Sequence, residues 1–151
     1  IYEELKRFET VNMCFSIDGI GKVNDYIRWG SNWEQVETNM LKWAEIVKYK
    51  SLGPTIQVLN LHHYETIIDW CKKHDFQFFD NLLMNPEYLN TKNAPDEIKQ
   101  YCPEKFKYWV DQPADIIQQE AFKKWISIFD KQRGCSLKEY IPEVAKAYGI
   151  N

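Results

Sequence analysis

Between Val11 and Ile17 the chain alternates, with Val11, Met13, Phe15 and Ile17 on one side and Asn12, Cys14 and Ser16 on the other. That is the period of two a β-strand imposes. From Trp33 the period changes: Trp33, Val36, Met40, Trp43, Ala44 and Val47 share one helical stripe, and Ser31 with Glu34 has capping-box spacing, so a helix is predicted over 32–48. Gly53-Pro54 closes the connection, and the β-branched run Thr55 to Asn60 predicts a second strand. Tyr64, Ile67, Ile68 and Cys71 mark another helix, and Phe76 to Leu83 a third strand. Short strands alternating with longer helices predict βαβ units, whose parallel strands need right-handed helical crossovers.

After Asn85-Pro86 the pattern turns helical. Ile117, Ala121, Phe122, Trp125, Ile128 and Phe129 predict a helix over 114–131, ended by Gly134. Ser136 with Glu139 predicts a cap for a last helix, in which Pro142 fits the first turns or a kink. The expected organisation is an α/β part over 1–90 with a helical extension over 91–151 packed on it.

In parallel α/β sheets ligands bind at the C-terminal ends of the strands, so function is expected in the loops after Ile17, Asn60 and Leu83. Alternation puts Ser16 and Asp18 on one side, opposite the Met13, Phe15 and Ile17 side expected to pack on helices. Two readings stand: the polar side is the wet face of an ordinary sheet, or it lines the edge of a cavity. Gly19 is expected to give the turn a positive φ, and Asp18 to cap it.

The longer string Ser16-Ile-Asp-Gly-Ile-Gly-Lys-Val-Asn-Asp-Tyr-Ile-Arg28 resembles the fourth-strand motif of radical S-adenosylmethionine (radical SAM) enzymes, whose usual form is S-[IL]-D-G, a short spacer, H-D and then R. Asn24-Asp25 stands where His-Asp is common, and Arg28 falls on the arginine. The tail, Phe129 to Gly134 and on to Ile141-Pro142-Glu143, is similar to the close of twitch-domain radical SAM proteins. The resemblance implies three parallel βα units of an incomplete radical SAM (partial TIM) barrel followed by a helical C-terminal extension. It implies SAM binding by Ser16 and Arg28, with Asp18 and Asn60 at the same strand ends. A hydroxyl both donates and accepts, and an arginine fork pairs a carboxylate in bidentate fashion. Arg28 as a surface ion pair and Asn60 as a helix cap remain open alternatives.

The family's C-x-x-x-C-x-x-C motif for a [4Fe-4S] cluster and its G-G-E-P stretch do not occur in the sequence. The match is therefore to the C-terminal part of such an enzyme, with both motifs expected before Ile1. The resemblance implies SAM and a [4Fe-4S] cluster in the complete protein and no catalysis by this chain alone. No catalytic residue is assigned, and the substrate is unknown. A barrel cut before its fourth strand is expected to self-associate through the exposed edge. The alternative is an α/β interaction or regulatory module that binds a protein through residues 94–151.

Composition narrows the classes. With 151 residues, 44% hydrophobic and 15% aromatic, the chain has material for one packed domain. A net charge of -3 with dispersed lysines gives no footprint for nucleic acid. No apolar run reaches membrane-spanning length, no signal-peptide core opens the chain, and a cytoplasmic location is expected. Cys14, Cys71, Cys102 and Cys135 form no C-x-x-C pair and are expected to be free thiols, with an auxiliary iron-sulfur site on Cys102 and Cys135 as a weaker alternative. His62 and His63, being adjacent, do not share a face for one metal ion; His74 is expected as a cation at a helix end. The tryptophans Trp33, Trp43, Trp70, Trp109 and Trp125 lie on helix stripes and are expected in the core.

Overall fold

The computed structural model describes residues 1–150. A short helix, α1 (Tyr2–Leu5), precedes β1 (Asn12–Phe15), and α2 (Lys22–Ile27) and α3 (Trp33–Ala44) lead back to β2 (Tyr49–Leu52). β2 lies parallel to β1, with Asn12 opposite Tyr49 and Phe15 opposite Leu52. After β3 (Thr55–Ile56), a turn at Leu61–His63 opens α4 (Tyr64–His74), which carries the chain to β4 (Gln77–Phe78) and β5 (Asn81–Leu82). The molecule is α/β, with parallel strands joined through helices. Its sheet order is β1-β2-β4 with β3-β5 as a separate ladder, and no barrel closes among the described residues.

The second strand begins earlier than its composition predicts, and the helix before it is shorter. α3 stops at Ala44, and the backbone is drawn into extended pairing when Lys48 N–H donates to Val11 O at 2.8 Å. Tyr49 to Leu52 has no apolar alternation of its own, so its conformation is imposed by β1. Gly53-Pro54 then interrupts the strand, since proline has no N–H for a ladder. The same register resumes beyond it: Ser51 faces Gln77 and Thr55 faces Asn81, an offset of 26 in both cases (77 − 51 and 81 − 55). β2 with β3, and β4 with β5, are thus two strands bent at matching places. The predicted strand over 55–60 ends at Ile56, because Gln57 to Asn60 fold into a turn in which Asn60 Oδ1 accepts from Gln57 N–H at 2.7 Å.

The two cores meet along these bent strands. One contains Leu52, Ile67, Trp70 and Phe76 beneath α3 and α4. The other takes in Ile56, Val58, Tyr26 and the C-terminal helices through Phe122, Ile126, Leu137 and Val144. Phe78 packs against both. The C-terminal helices are α5 (Asp96–Lys99), α6 (Glu104–Val110), α7 (Ile116–Arg133), α8 (Leu137–Tyr140) and α9 (Pro142–Ala147). α7 is capped by Asp115, whose Oδ1 accepts from Ile117 N–H, and is ended by Gly134 in the left-handed region at φ +65. Pro142 opens α9 as its first residue, splitting the predicted last helix in two.

Three local expectations are corrected. Asn32, not Ser31, caps α3, because Ser31 Oγ is held by Asn24 and Asp25. Ser136 makes no cap bond; Asp130 Oδ2 reaches across from α7 to accept from Leu137 N–H at 2.8 Å. Trp125 is exposed, stacked beside Tyr88 and Phe129 at the surface, whereas Trp33 and Trp70 are buried.

Candidate functional site at the strand ends

Beyond Phe15 the alternation continues into irregular chain. Ile17 is buried against the first core, and the opposite side, with Asn12, Cys14 and Ser16, is exposed. Asp18 then turns inward and organises the loop. Its Oδ1 accepts from Thr55 N–H at 3.0 Å, bridging to the start of β3, and its Oδ2 accepts from Arg28 Nε at 3.0 Å. Gly19 is required here for close approach: a Cβ would lie 2.7 Å from Val23 Cγ1 and 2.9 Å from Asn24 N. Its φ is not in the left-handed region, so the expected reason for this glycine is replaced by a steric one.

Asn60 is fully buried and ties the same strand ends together. Its Nδ2 donates to Asp18 O at 2.8 Å and Thr55 O at 2.9 Å, while its Oδ1 takes the Gln57 N–H. The side chain makes no cap bond to the following turn. Asn24, also fully buried, accepts from Asp18 N–H at 3.4 Å and donates to Ser31 Oγ, which donates to Asp25 Oδ1 at 3.1 Å. Asp18, Arg28 and Asn60 are thus brought into one network, and Thr55, Asn24 and Ser31 join it. Ser16 lies outside that network on the exposed strand face.

The division of labour follows from which atoms remain available. Both Asp18 carboxylate oxygens and the Asn60 amide are engaged, so these residues position the loop. The Arg28 side chain is 42% exposed, and Asp18 holds it by Nε. Its terminal nitrogens are left for an anion, the bidentate geometry that suits a carboxylate. Ser16 offers an exposed hydroxyl as donor or acceptor.

The cysteines do not fit an iron-sulfur cluster. Among the described residues no group of three or more His, Cys, Asp or Glu is placed to hold a metal ion. Cys14 is exposed, and Cys71 and Cys102 are buried. Burial pushes the Cys71 and Cys102 thiols up to about 11, away from the thiolate a metal needs. Burial, and next the Asp130 carboxylate on which Cys135 Sγ rests, raise the Cys135 thiol as well.

His62 and His63 stand at the turn before α4, with ring centroids 5.8 Å apart. His62 Nε2 lies 3.8 Å from Glu143 Oε2 on α9. His62 Nδ1 and His63 Nε2 are buried without a partner, and burial lowers both imidazoles, His63 to about 4. His74 ends α4 with its ring against Trp70 at 4.5 Å.

The tail motif acquires a structural reason that its sequence did not provide. Asp130 takes the Tyr26 hydroxyl at 2.7 Å as well as the Leu137 N–H, and Arg133 Nη1 donates to Tyr26 O at 3.2 Å. Asp130 and Arg133 thereby clasp α2, the helix that delivers Arg28, to the end of α7. No helix is long and apolar enough to cross a membrane among the described residues. Comparison of the chain with protein-family models, with curated proteins and with solved structures gave no match.

Proposed function

We propose that this chain is the C-terminal part of a radical SAM enzyme and supplies half of its SAM site. Its βα units would belong to a partial barrel. The observation that carries the reading is the Asp18–Arg28 pair at 3.0 Å, set at the end of a parallel strand whose Ser16-bearing face is bare. Arg28 would meet the carboxylate of SAM and Ser16 a polar group of its ribose or amino-acid part, with Asp18 and Asn60 holding the loop. SAM so bound is the precursor of a 5'-deoxyadenosyl radical. The electron that releases it requires a cluster these 151 residues do not fit, so the cluster-bearing strands would come from other polypeptide, and the chain alone is expected to be inactive.

The test is SAM binding by the isolated chain, followed calorimetrically. Weak saturable binding is expected, lowered at least tenfold by Arg28→Ala, since a charge-assisted bidentate pair contributes about 1.5–3 kcal/mol. Ser16→Ala is expected to lower it about threefold. Binding indifferent to both substitutions would overturn the assignment.

A second reading, an interaction module, is favoured by one observation. Tyr108 is 90% exposed, and Ile116 and Ile117 are exposed together at the start of α7, an apolar surface of the kind partners cover. Sequence coding for a C-x-x-x-C-x-x-C motif in frame before Ile1 would favour the enzyme, and a start codon there the module.

A further inference from the structure

α2 ends without a signal of its own. Its residues, Lys22–Ile27, are too few to hold a helix by themselves, and none in its last turn is basic. The chain leaves the helix at Arg28, with φ -100 and ψ 64. Trp29 follows, where a left-handed glycine commonly closes a helix, and it has no positive φ. The Arg28 N–H donates to Asn24 O at 2.8 Å, but no backbone N–H reaches Tyr26 O. That carbonyl is one of those every helix leaves unpaired at its C-terminal end. Arg133, in the last turn of α7, supplies the missing donor. Its Nη1 lies 3.2 Å from Tyr26 O, and its positive charge complements the helix end.

The same guanidinium reaches past Arg28 on the other side. It stands 5.7 Å from the ring centroid of Trp29 and 5.0 Å from that of Phe129, its neighbour one turn back on α7. Arg133 thus holds the residue two before Arg28 by its carbonyl and the residue just after by its ring. Among the described residues the half-exposed Arg28 side chain makes one hydrogen bond, from Nε to Asp18. The direction of its terminal nitrogens therefore follows from where the backbone on either side is placed.

We infer that Arg133 is a positioning residue of the candidate SAM site: it fixes the end of α2 and the ring of Trp29, and through them the place from which Arg28 meets a carboxylate. This role rests on the reading of Arg28 as the group that meets SAM. A lysine fills it only in part, since one ammonium caps Tyr26 O but offers no plane to Trp29. Tyr26 has a second link to α7, its hydroxyl to Asp130 at 2.7 Å. That link holds the helix without aiming Arg28, because its loss leaves the Tyr26 carbonyl and Trp29 engaged by Arg133.

The test has a ligand-free arm and a SAM arm, both on the intact chain. Without ligand, the NMR signal of Arg28 Nε–H, identified by its loss in Arg28→Ala, should exchange slowly with water while the bond to Asp18 stands. Arg133→Gln should move it to the position and fast exchange of a free arginine, with the indole signal of buried Trp70 unchanged as the sign that the fold is kept. Arg133→Lys should fall between, and it replaces Arg133→Gln if that variant does not fold. Tyr26→Phe should lower the unfolding midpoint and leave the Arg28 signal in place. In calorimetry Arg133→Gln should weaken SAM binding about five- to tenfold and Arg133→Lys about two- to threefold, as a charge-assisted pair made from the wrong place loses part of its strength. On the Arg28→Ala background the same substitutions should change affinity by less than about twofold, because no arginine is left to aim.

Three outcomes overturn the proposal. They are an Arg28 signal indifferent to the Arg133 substitutions, a loss of SAM affinity that Tyr26→Phe reproduces, and additive losses in the double variant. No SAM binding by the unaltered chain overturns the SAM reading itself, and the Arg28 signal then still decides whether Arg133 aims that side chain.

Discussion

Asn60 illustrates how one side chain can hold two strand ends. It is fully buried, and its amide makes three hydrogen bonds that join residue 18 to residues 55 and 57. Replacing it by Leu leaves the Asp18 and Thr55 carbonyls and the Gln57 N–H without partners, so a loss of about 2–4 kcal/mol is expected in denaturant unfolding. Asp18→Asn keeps the shape but removes the charge facing Arg28. It should alter SAM affinity more than stability, a contrast visible by running both assays on one variant. His62 and His63 predict a pH effect of definite sign. Burial lowers both from the ordinary 6.5, His63 to about 4. The unfolded chain then binds protons that the folded one refuses, so stability is full above 6.5 and falls as pH drops from there toward 4. A loss on the order of 2–3 kcal/mol across that window is expected, and His63→Gln should remove most of it. None of this is visible in the local sequence. The Asn60–Asp18 bond spans 42 residues, and the pattern around Asn60 is equally that of a helix cap.

At the scale of elements, what could be read from the chain was what it encodes locally. β1 has its own alternation, α4 its own stripe and α7 its own terminating glycine, and all three form where their patterns put them. β2 was illegible because Tyr49 to Leu52 takes its extended form from pairing with β1. The caps misled for a related reason, since the hydroxyl or carboxylate that serves a helix end is chosen by what else competes for it. Ser136 precedes α8 in sequence, yet Asp130 makes the bond. Ser136→Ala is therefore expected to change stability by less than about 0.5 kcal/mol, whereas Asp130→Ala should cost about 2–3 kcal/mol by releasing both Leu137 N–H and the Tyr26 hydroxyl. Thermal unfolding of the two variants side by side checks the contrast. The clasp of Asp130 and Arg133 on Tyr26 was out of reach of pattern reading altogether, because it joins α7 to α2 across more than 100 residues and nothing within either helix announces it.

For the molecule as a whole, the sheet order leaves β1 on an edge with one face bare. Unpaired backbone on such a strand invites addition of another chain. Light scattering across a concentration series should show a mass that rises with concentration, and a monomer of constant mass at the highest concentration would count against an open edge. The same arrangement fits a sheet that needs further strands to be complete, which is how edge, bare face and SAM half-site come together in one proposal.

The bend at Gly53-Pro54 has a consequence for how the molecule comes apart. Because one pair of strands passes from the first core into the second, with Phe78 touching both, neither core can melt and leave the other a finished surface. Denaturation should be cooperative, with a single midpoint by fluorescence and by circular dichroism. Severing the chain near residue 90 would strip Ile56 and Val58 of their helical cover and unravel the strand pair from that end, taking the loop around Asp18 with it.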